Sequence, residues 1–94
     1  MSDLSYCITL REPTGRIQWE LDVIPDYDDA GKYLEARRVT VVDCITFAGD
    51  NGVVGEPDSD KQARDEGSWL YREFGEEIDC LVRAAIERAQ ERAA

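Results

Sequence analysis

The chain has no histidine in 94 residues, which removes the commonest general base and the commonest metal ligand. Cations are scarce too: 11 Lys plus Arg stand against 21 Asp plus Glu, a net charge of -10, with a pI near 4.3. Such a chain repels nucleic-acid phosphates and anionic membranes and attracts basic protein surfaces. Cysteine is limited to Cys7, Cys44 and Cys80, far apart and without CxxC spacing, which argues against a zinc site and a disulfide framework. Each lies in an apolar stretch, so all are expected as buried free thiols in a reducing, intracellular compartment. No run approaches the roughly 18 apolar residues that span a bilayer. Met1-Ser2-Asp3-Leu4 carries no basic stretch, so neither secretion nor membrane insertion is expected.

A chain of 94 residues, 43% hydrophobic and 34% charged, fits one globular domain (1–94) that buries roughly 60 to 65% of its unfolded surface. Leu4, Tyr6, Ile8 and Leu10 alternate with smaller or polar residues, as do Ile17, Trp19, Leu21 and Val23 with Gln18, Glu20 and Asp22 between them. Both runs predict half-buried strands, about 4–11 and 16–24. Glu12-Pro13-Thr14-Gly15 predicts the turn of a hairpin. A third strand, 37–48, is rich in β-branched residues, with Val39, Val41, Ile45 and Phe47 on one face and Val42 and Cys44 on the other, the pattern of a central strand. Asp43 interrupts it and suggests a bulge, a hydrogen-bonded partner or functional exposure. Gly49-Asp50-Asn51-Gly52 is a strong turn signal, with Val53-Val54 as a short return strand at most.

Pro25 to Ala36 has the composition of an exposed loop or a single helical turn, and 49–67 that of a polar linker. The clearest segment is the last. Leu70, Phe74, Ile78, Leu81, Ala85 and Ala89 recur at spacings of three and four, widened by Val82 and Ile86, and predict an amphipathic helix over about 68–92. Its polar face carries Arg72, Glu73, Glu76, Glu77, Asp79, Arg83, Glu87 and Arg88. Ser59 and Gln62 form a capping box that permits an earlier start near Asp60, against which Gly67 weighs. The fold class is therefore α+β: a three-stranded, largely antiparallel sheet with one long C-terminal helix packed on a face.

Candidate chemical motifs fail on their residues. Asp26-Tyr27-Asp28-Asp29-Ala30-Gly31 opens like a calcium loop but puts Ala30 at the fifth position and Arg37 at the twelfth, where an oxygen ligand and a bidentate glutamate are required. Gly49, Gly52 and Gly55 are followed by no lysine and surrounded by Asp50, Glu56 and Asp58, the wrong field for a phosphate. Among 21 acidic side chains close carboxylate pairs arise by chance, and no nucleophile stands beside a base. The expectation is a protein that is not an enzyme, with no catalytic, cofactor-binding or metal-binding residues. Trp19, Trp69, Tyr6 and Phe74 lie on apolar stripes and are expected in the core. Tyr27, Tyr33 and Tyr71 are the aromatics expected at the surface, where tyrosines serve as interface anchors.

The charge itself is unevenly spread, at -4 over 1–48, -7 over 49–79 and +1 over 80–94. Carboxylates held on a rigid scaffold can imitate phosphate spacing and dock on a basic groove by counterion release; ordinary solubility is the plainer use of the same charge. The residues that would contact such a partner are Asp26, Asp28, Asp29, Glu56, Asp58, Asp60, Glu73, Glu76 and Glu77.

In size, charge and plan, through 5–10, 17–24, 39–47 and 70–91, the chain resembles the small acidic accessory proteins of bacteriophages and mobile elements. Among these it is similar to anti-CRISPR proteins, which share no common signature from which a residue could be carried over. The resemblance implies a stoichiometric inhibitor in the cytoplasm of a bacterial host that binds a basic CRISPR effector subunit, without itself binding nucleic acid or membrane, and blocks target DNA or nuclease recruitment. The competing reading is a phage structural or self-associating protein, a homodimer with Arg83, Glu87 and Arg88 bordering the interface.

Overall fold

A computed structural model describes residues 4–49 and 51–93. The expectation of no targeting segment at Met1 to Asp3, and the Asp50 position of the third turn, lie outside the described residues. Four strands, β1 (Tyr6–Arg11), β2 (Ile17–Tyr27), β3 (Tyr33–Ala48) and β4 (Asn51–Gly55), form an antiparallel meander in the order β1-β2-β3-β4, followed by one helix, α1 (Asp60–Ala93). The α+β class and the C-terminal helix agree with the sequence reading. The sheet has four strands rather than three.

Turn chemistry explains where the chain reverses. Between β1 and β2, Glu12 N–H donates to Ile17 O at 2.9 Å and Gly15 N–H to Glu12 O at 2.8 Å, with Gly15 at a φ of 77° that other residues rarely adopt. The expected loop at 25–36 is instead the end of a long β2–β3 hairpin. Asp28 builds its tip: its Oδ1 accepts from Ala30 N–H and Lys32 N–H, each at 2.9 Å, so an acidic cluster that looks like loop serves as an Asx turn. Pro25 is buried in β2 at a register shift, one of the few places where a sheet accommodates a missing N–H.

The bulge expected near Asp43 falls one residue earlier. Leu21 pairs with Val41 and Glu20 with Asp43, so Val42 is the extra residue, and it switches the faces of the rest of β3. Val39 and Val41 are buried, but beyond the bulge Cys44, opposite Trp19, packs against the core while Ile45 and Phe47 do not. The expected grouping of Val39, Val41, Ile45 and Phe47 on one face is therefore corrected.

The helix starts at Asp60, a full two turns before the expected 68, inside what the composition suggests is linker. Ser59 Oγ accepts from Gln62 N–H at 3.1 Å, and Gln62 Oε1 reaches back to Asp58 N–H at 2.9 Å. That is the capping box, displaced by one residue on its return arm. Gly67 does not end the helix because it has a packing role: a Cβ built there would lie 1.9 Å from the Val39 carbonyl oxygen. Only glycine lets helix and β3 backbone approach this closely. At Phe74 the helix leaves helical geometry (φ -125°, ψ 31°), and its ring meets Trp19 with centroids 6.0 Å apart.

Packing follows from the two periodicities. Ile8, Leu10, Trp19, Leu21, Val23, Val39 and Val41 from the sheet meet Leu70, Ile78, Val82, Ala85 and Ile86 from α1 in one core. At roughly 1.5–3 kcal/mol for each large side chain buried, this layer is the main favourable term in folding. No described element covers the other face of the sheet. Some core expectations fail: Trp69 is 48% exposed, Ala89 is exposed, Cys7 and Cys80 are exposed and Cys44 is only half-buried. The thiols are free, but they are not core residues. Tyr33 and Tyr71, expected at the surface, are half-buried.

Candidate protein-interaction site

All nine carboxylates expected to meet a partner are exposed, but they do not form one surface. Asp26, Asp28 and Asp29 sit at the end of the β2–β3 hairpin, where Tyr27, Gly31, Lys32 and Tyr33 face Arg83, Ile86, Glu87 and Gln90 of the helix across an open recess. Glu56, Asp58 and Asp60 lie at the β4–α1 junction, where Gly55, Glu56 and Pro57 adjoin Val41 and Cys44 in the middle of β3. Glu73, Glu76 and Glu77 are exposed near the centre of the helix, Glu77 on the side that borders β1 at Thr9 to Arg11. From Asp60 to Glu77 the helix advances about 25 Å. The groups are thus spread along a molecule 44 Å in its longest dimension. Asp28 differs from the other eight because its carboxylate already holds the hairpin turn.

A further acidic group lies on the uncovered sheet face. The register sets Glu20 beside Asp43 and Asp22 beside Cys7 and Thr40. Glu20 accepts from Thr9 Oγ1 at 3.0 Å and from Gln18 Nε2 at 3.2 Å, neutral donors that hold it in place without cancelling its charge. The Cys7 thiol is pushed above its ordinary pKa first by desolvation and then by Asp22 and Glu20, so it stays protonated and poorly nucleophilic at neutral pH. Next to these carboxylates, Ile45 and Phe47 lie in contact distance of where a Gly52 side chain would start. Val54, paired with Ile45, is 60% exposed. Period-two alternation in β2 points to Glu20 and Asp22 from the sequence. Asp43 joins them only because Val42 bulges.

Asp79, expected on the exposed helix face, belongs instead to a polar cluster between helix and hairpin. Its Oδ1 accepts from Tyr33 Oη at 2.6 Å and Tyr71 Oη at 2.9 Å, and Tyr71 Oη in turn accepts from Ala36 N–H at 3.0 Å. Arg83 stacks over the Tyr33 ring with its guanidinium carbon 5.5 Å from the centroid, a cation–π contact. Both hydroxyls are pushed above the ordinary tyrosine range, chiefly by burial and then, for Tyr33, by its bond to Asp79. Phenols held protonated in this way donate structural hydrogen bonds; they do not act as bases. Tyr27 remains exposed, the one of the three interface tyrosines placed as expected.

Among the described residues no three or more Cys, Asp or Glu converge as a metal-ligand group, and no helix is long and apolar enough to cross a membrane. Compared with protein-family models, curated proteins and solved structures, the chain matches none.

Proposed function

We propose that this chain is an acidic protein inhibitor that binds a basic nucleic-acid-binding protein in the bacterial cytoplasm, of anti-CRISPR type, directed at an RNA-guided effector subunit. It acts by occupancy and makes or breaks no bond. The observation that supports this reading is the display of exposed carboxylates on every side of a small packed scaffold, most of them with no part in holding the fold together. A lysine and arginine groove that meets them releases bound counterions just as it does on nucleic acid. The uncovered sheet face is the best contact among the four acidic groups, because there Glu20, Asp22 and Asp43 adjoin Ile45, Phe47 and Val54. Central apolar anchors beside charges that set orientation and on-rate are the usual anatomy of a protein interface.

The test is a pull-down from a bacterial lysate containing CRISPR effector complexes, washed over a salt series and read by mass spectrometry. Salt-sensitive retention of one basic nucleic-acid-binding subunit is expected. Reversal of Glu73, Glu76 and Glu77 to lysine, and separately of Glu20 and Asp43, should weaken that binding and flatten its salt dependence. Binding to the effector that is unchanged by both sets at low salt would refute the electrostatic mechanism.

A further inference from the structure

The two edges of the sheet are not alike. The edge on the β4 side is β4 itself, five exposed residues of which two are glycine, with Glu56-Pro57 directly after it, and then the part of β3 before Cys44 that β4 does not pair, which carries Glu35, Arg37 and Arg38 and meets α1 at Gly67. β1, six residues long and ending in Arg11, otherwise lacks the devices that keep an edge strand from pairing. Tyr6 to Leu10 contains no proline, lysine or inward charge, and its register with β2 runs without a bulge. The bond from Glu12 N–H to Ile17 O fixes which backbone groups are free. In an antiparallel ladder bonded pairs alternate, so Tyr6, Ile8 and Leu10 direct their N–H and C=O groups to β2. Cys7, Thr9 and Arg11 direct theirs outward. The helix leaves this edge open: Thr9, Leu10, Arg11, Gln18, Glu77, Cys80 and Leu81 line a recess of about 640 Å³ beside it.

We infer that β1 is a self-association edge, pairing antiparallel with β1 of a second copy to join two four-stranded sheets into one of eight. Charge selects this occupant and this place. Two chains of net charge -10 repel each other over most of their surface, but 4–10 is the longest stretch of the sequence without a charged side chain. Along the strand itself two copies meet without opposing carboxylates, although Glu77 of α1 lines the recess beside it and Glu20 lies against Thr9. The alternation of faces then limits the register, because core-facing residues must pair with core-facing residues. Centring on Ile8 gives the greatest overlap of the uncharged stretch. It sets Ile8 against Ile8, Tyr6 against Leu10 and Cys7 against Thr9 of the second copy, and the outward groups of Cys7 and Thr9 bond across the seam. An edge this short buries less than the ~800 Å² per partner of a standard interface, so the dimer assembles with concentration. The inference is independent of the inhibitor reading.

Sedimentation equilibrium across micromolar to millimolar concentration tests it. The apparent mass should rise from the 10.6 kDa of one chain towards twice that. Added salt should strengthen the association, since it screens repulsion between like-charged copies. That is the opposite of the salt response of a bond to a basic partner. Thr9→Pro removes an outward N–H that β2 does not use and should hold the protein monomeric with its circular dichroism unchanged. Independently of that variant's folding, Thr9→Cys in a Cys44→Ser/Cys80→Ser background should oxidise to a covalent dimer. Its bridge should join Cys7 of one copy to the introduced thiol at position 9 of the other, because a bonded antiparallel pair sits about 5.5 Å apart at Cα, within disulfide range. A monomer at every concentration and salt, a dimer undiminished in folded Thr9→Pro, or no bridge between positions 7 and 9 would overturn the inference.

Discussion

Replacing Gly67 with alanine sets two physical effects against each other. On helix propensity alone, Gly67→Ala should stabilise α1 by about 1 kcal/mol. In the fold, however, the added methyl would lie 1.9 Å from the Val39 carbonyl oxygen, 2.5 Å from its carbon and 3.0 Å from Thr40 N. These are backbone atoms of a strand held in its ladder with β2, where Val39 pairs with Val23 and Thr40 with Asp22, so no side-chain rotation can relieve the contact, and the helix must move away by about 1 Å or more. That movement loosens the packing of Val39, Ala63 and Leu70, which are 4%, 6% and 0% exposed. Overpacking of this kind costs about 1–3 kcal/mol, and a backbone obstacle places it at the upper end. The net effect should be a loss of about 1–2 kcal/mol, or roughly 4–16 °C in Tm for a domain of this size. Thermal and urea unfolding measure it, with Gly75→Ala as the control. At Gly75 the nearest atoms to a new Cβ are Tyr71 ring carbons at 3.8 and 3.9 Å, an ordinary contact, so this variant should gain up to about 1 kcal/mol from propensity. If Gly67→Ala is as stable as the parent or more so, the close approach of helix to β3 is wrong.

Ser59→Ala should remove the N-cap bond to Gln62 N–H and cost about 0.5–2 kcal/mol, with hydrogen-exchange protection lost first over 60–66. In spectrophotometric titration Tyr33 and Tyr71 should ionise only above the ordinary tyrosine range, because the folded state raises both pKa values. The sign follows by linkage: the folded state favours the protonated phenols, so their contribution is intact below the unfolded value, near pH ~10, and falls away as pH rises beyond it. Asp79→Asn should bring the Tyr33 ionisation back towards the ordinary range, since one of the groups that raise it is gone.

Legibility in the sequence tracked how local the deciding interaction was. The β1–β2 hairpin and the apolar stripe of α1 follow from alternation, turn residues and three-four spacing within a few residues, and both were readable. The β2–β3 hairpin was hidden because Asp28 and Gly31 have the composition of a loop whether or not they close a tight turn; the long ladder behind them is visible only when Tyr33 to Ala36 finds its partners. The early helix start was signalled by Ser59 and Gln62, but Gly67 argued against it, since a propensity rule cannot see the Val39 carbonyl. The exposure of the nine chosen carboxylates was legible from polarity. Their separation into distinct groups was not. Asp79 lies at the border of the apolar stripe, and only Tyr33, 46 positions away, and Tyr71 across the kink give it a place.

The helix covers one side of the sheet and leaves the other bare, and this divides the chain's evolutionary freedom along each strand. Ile8 and Leu10 of β1, Trp19, Leu21 and Val23 of β2 and Val39 and Val41 of β3 are committed to the layer beneath α1, where truncating a large side chain costs several kcal/mol, about 2–5 for a leucine or isoleucine. The residues between them can be replaced for about ±0.5 kcal/mol each. A lineage can therefore rewrite the bare side, acid to base or valine to serine, and change what the molecule meets while its fold stays the same. Drift on that side and constancy on the other is the pattern that divergent copies of this chain should display.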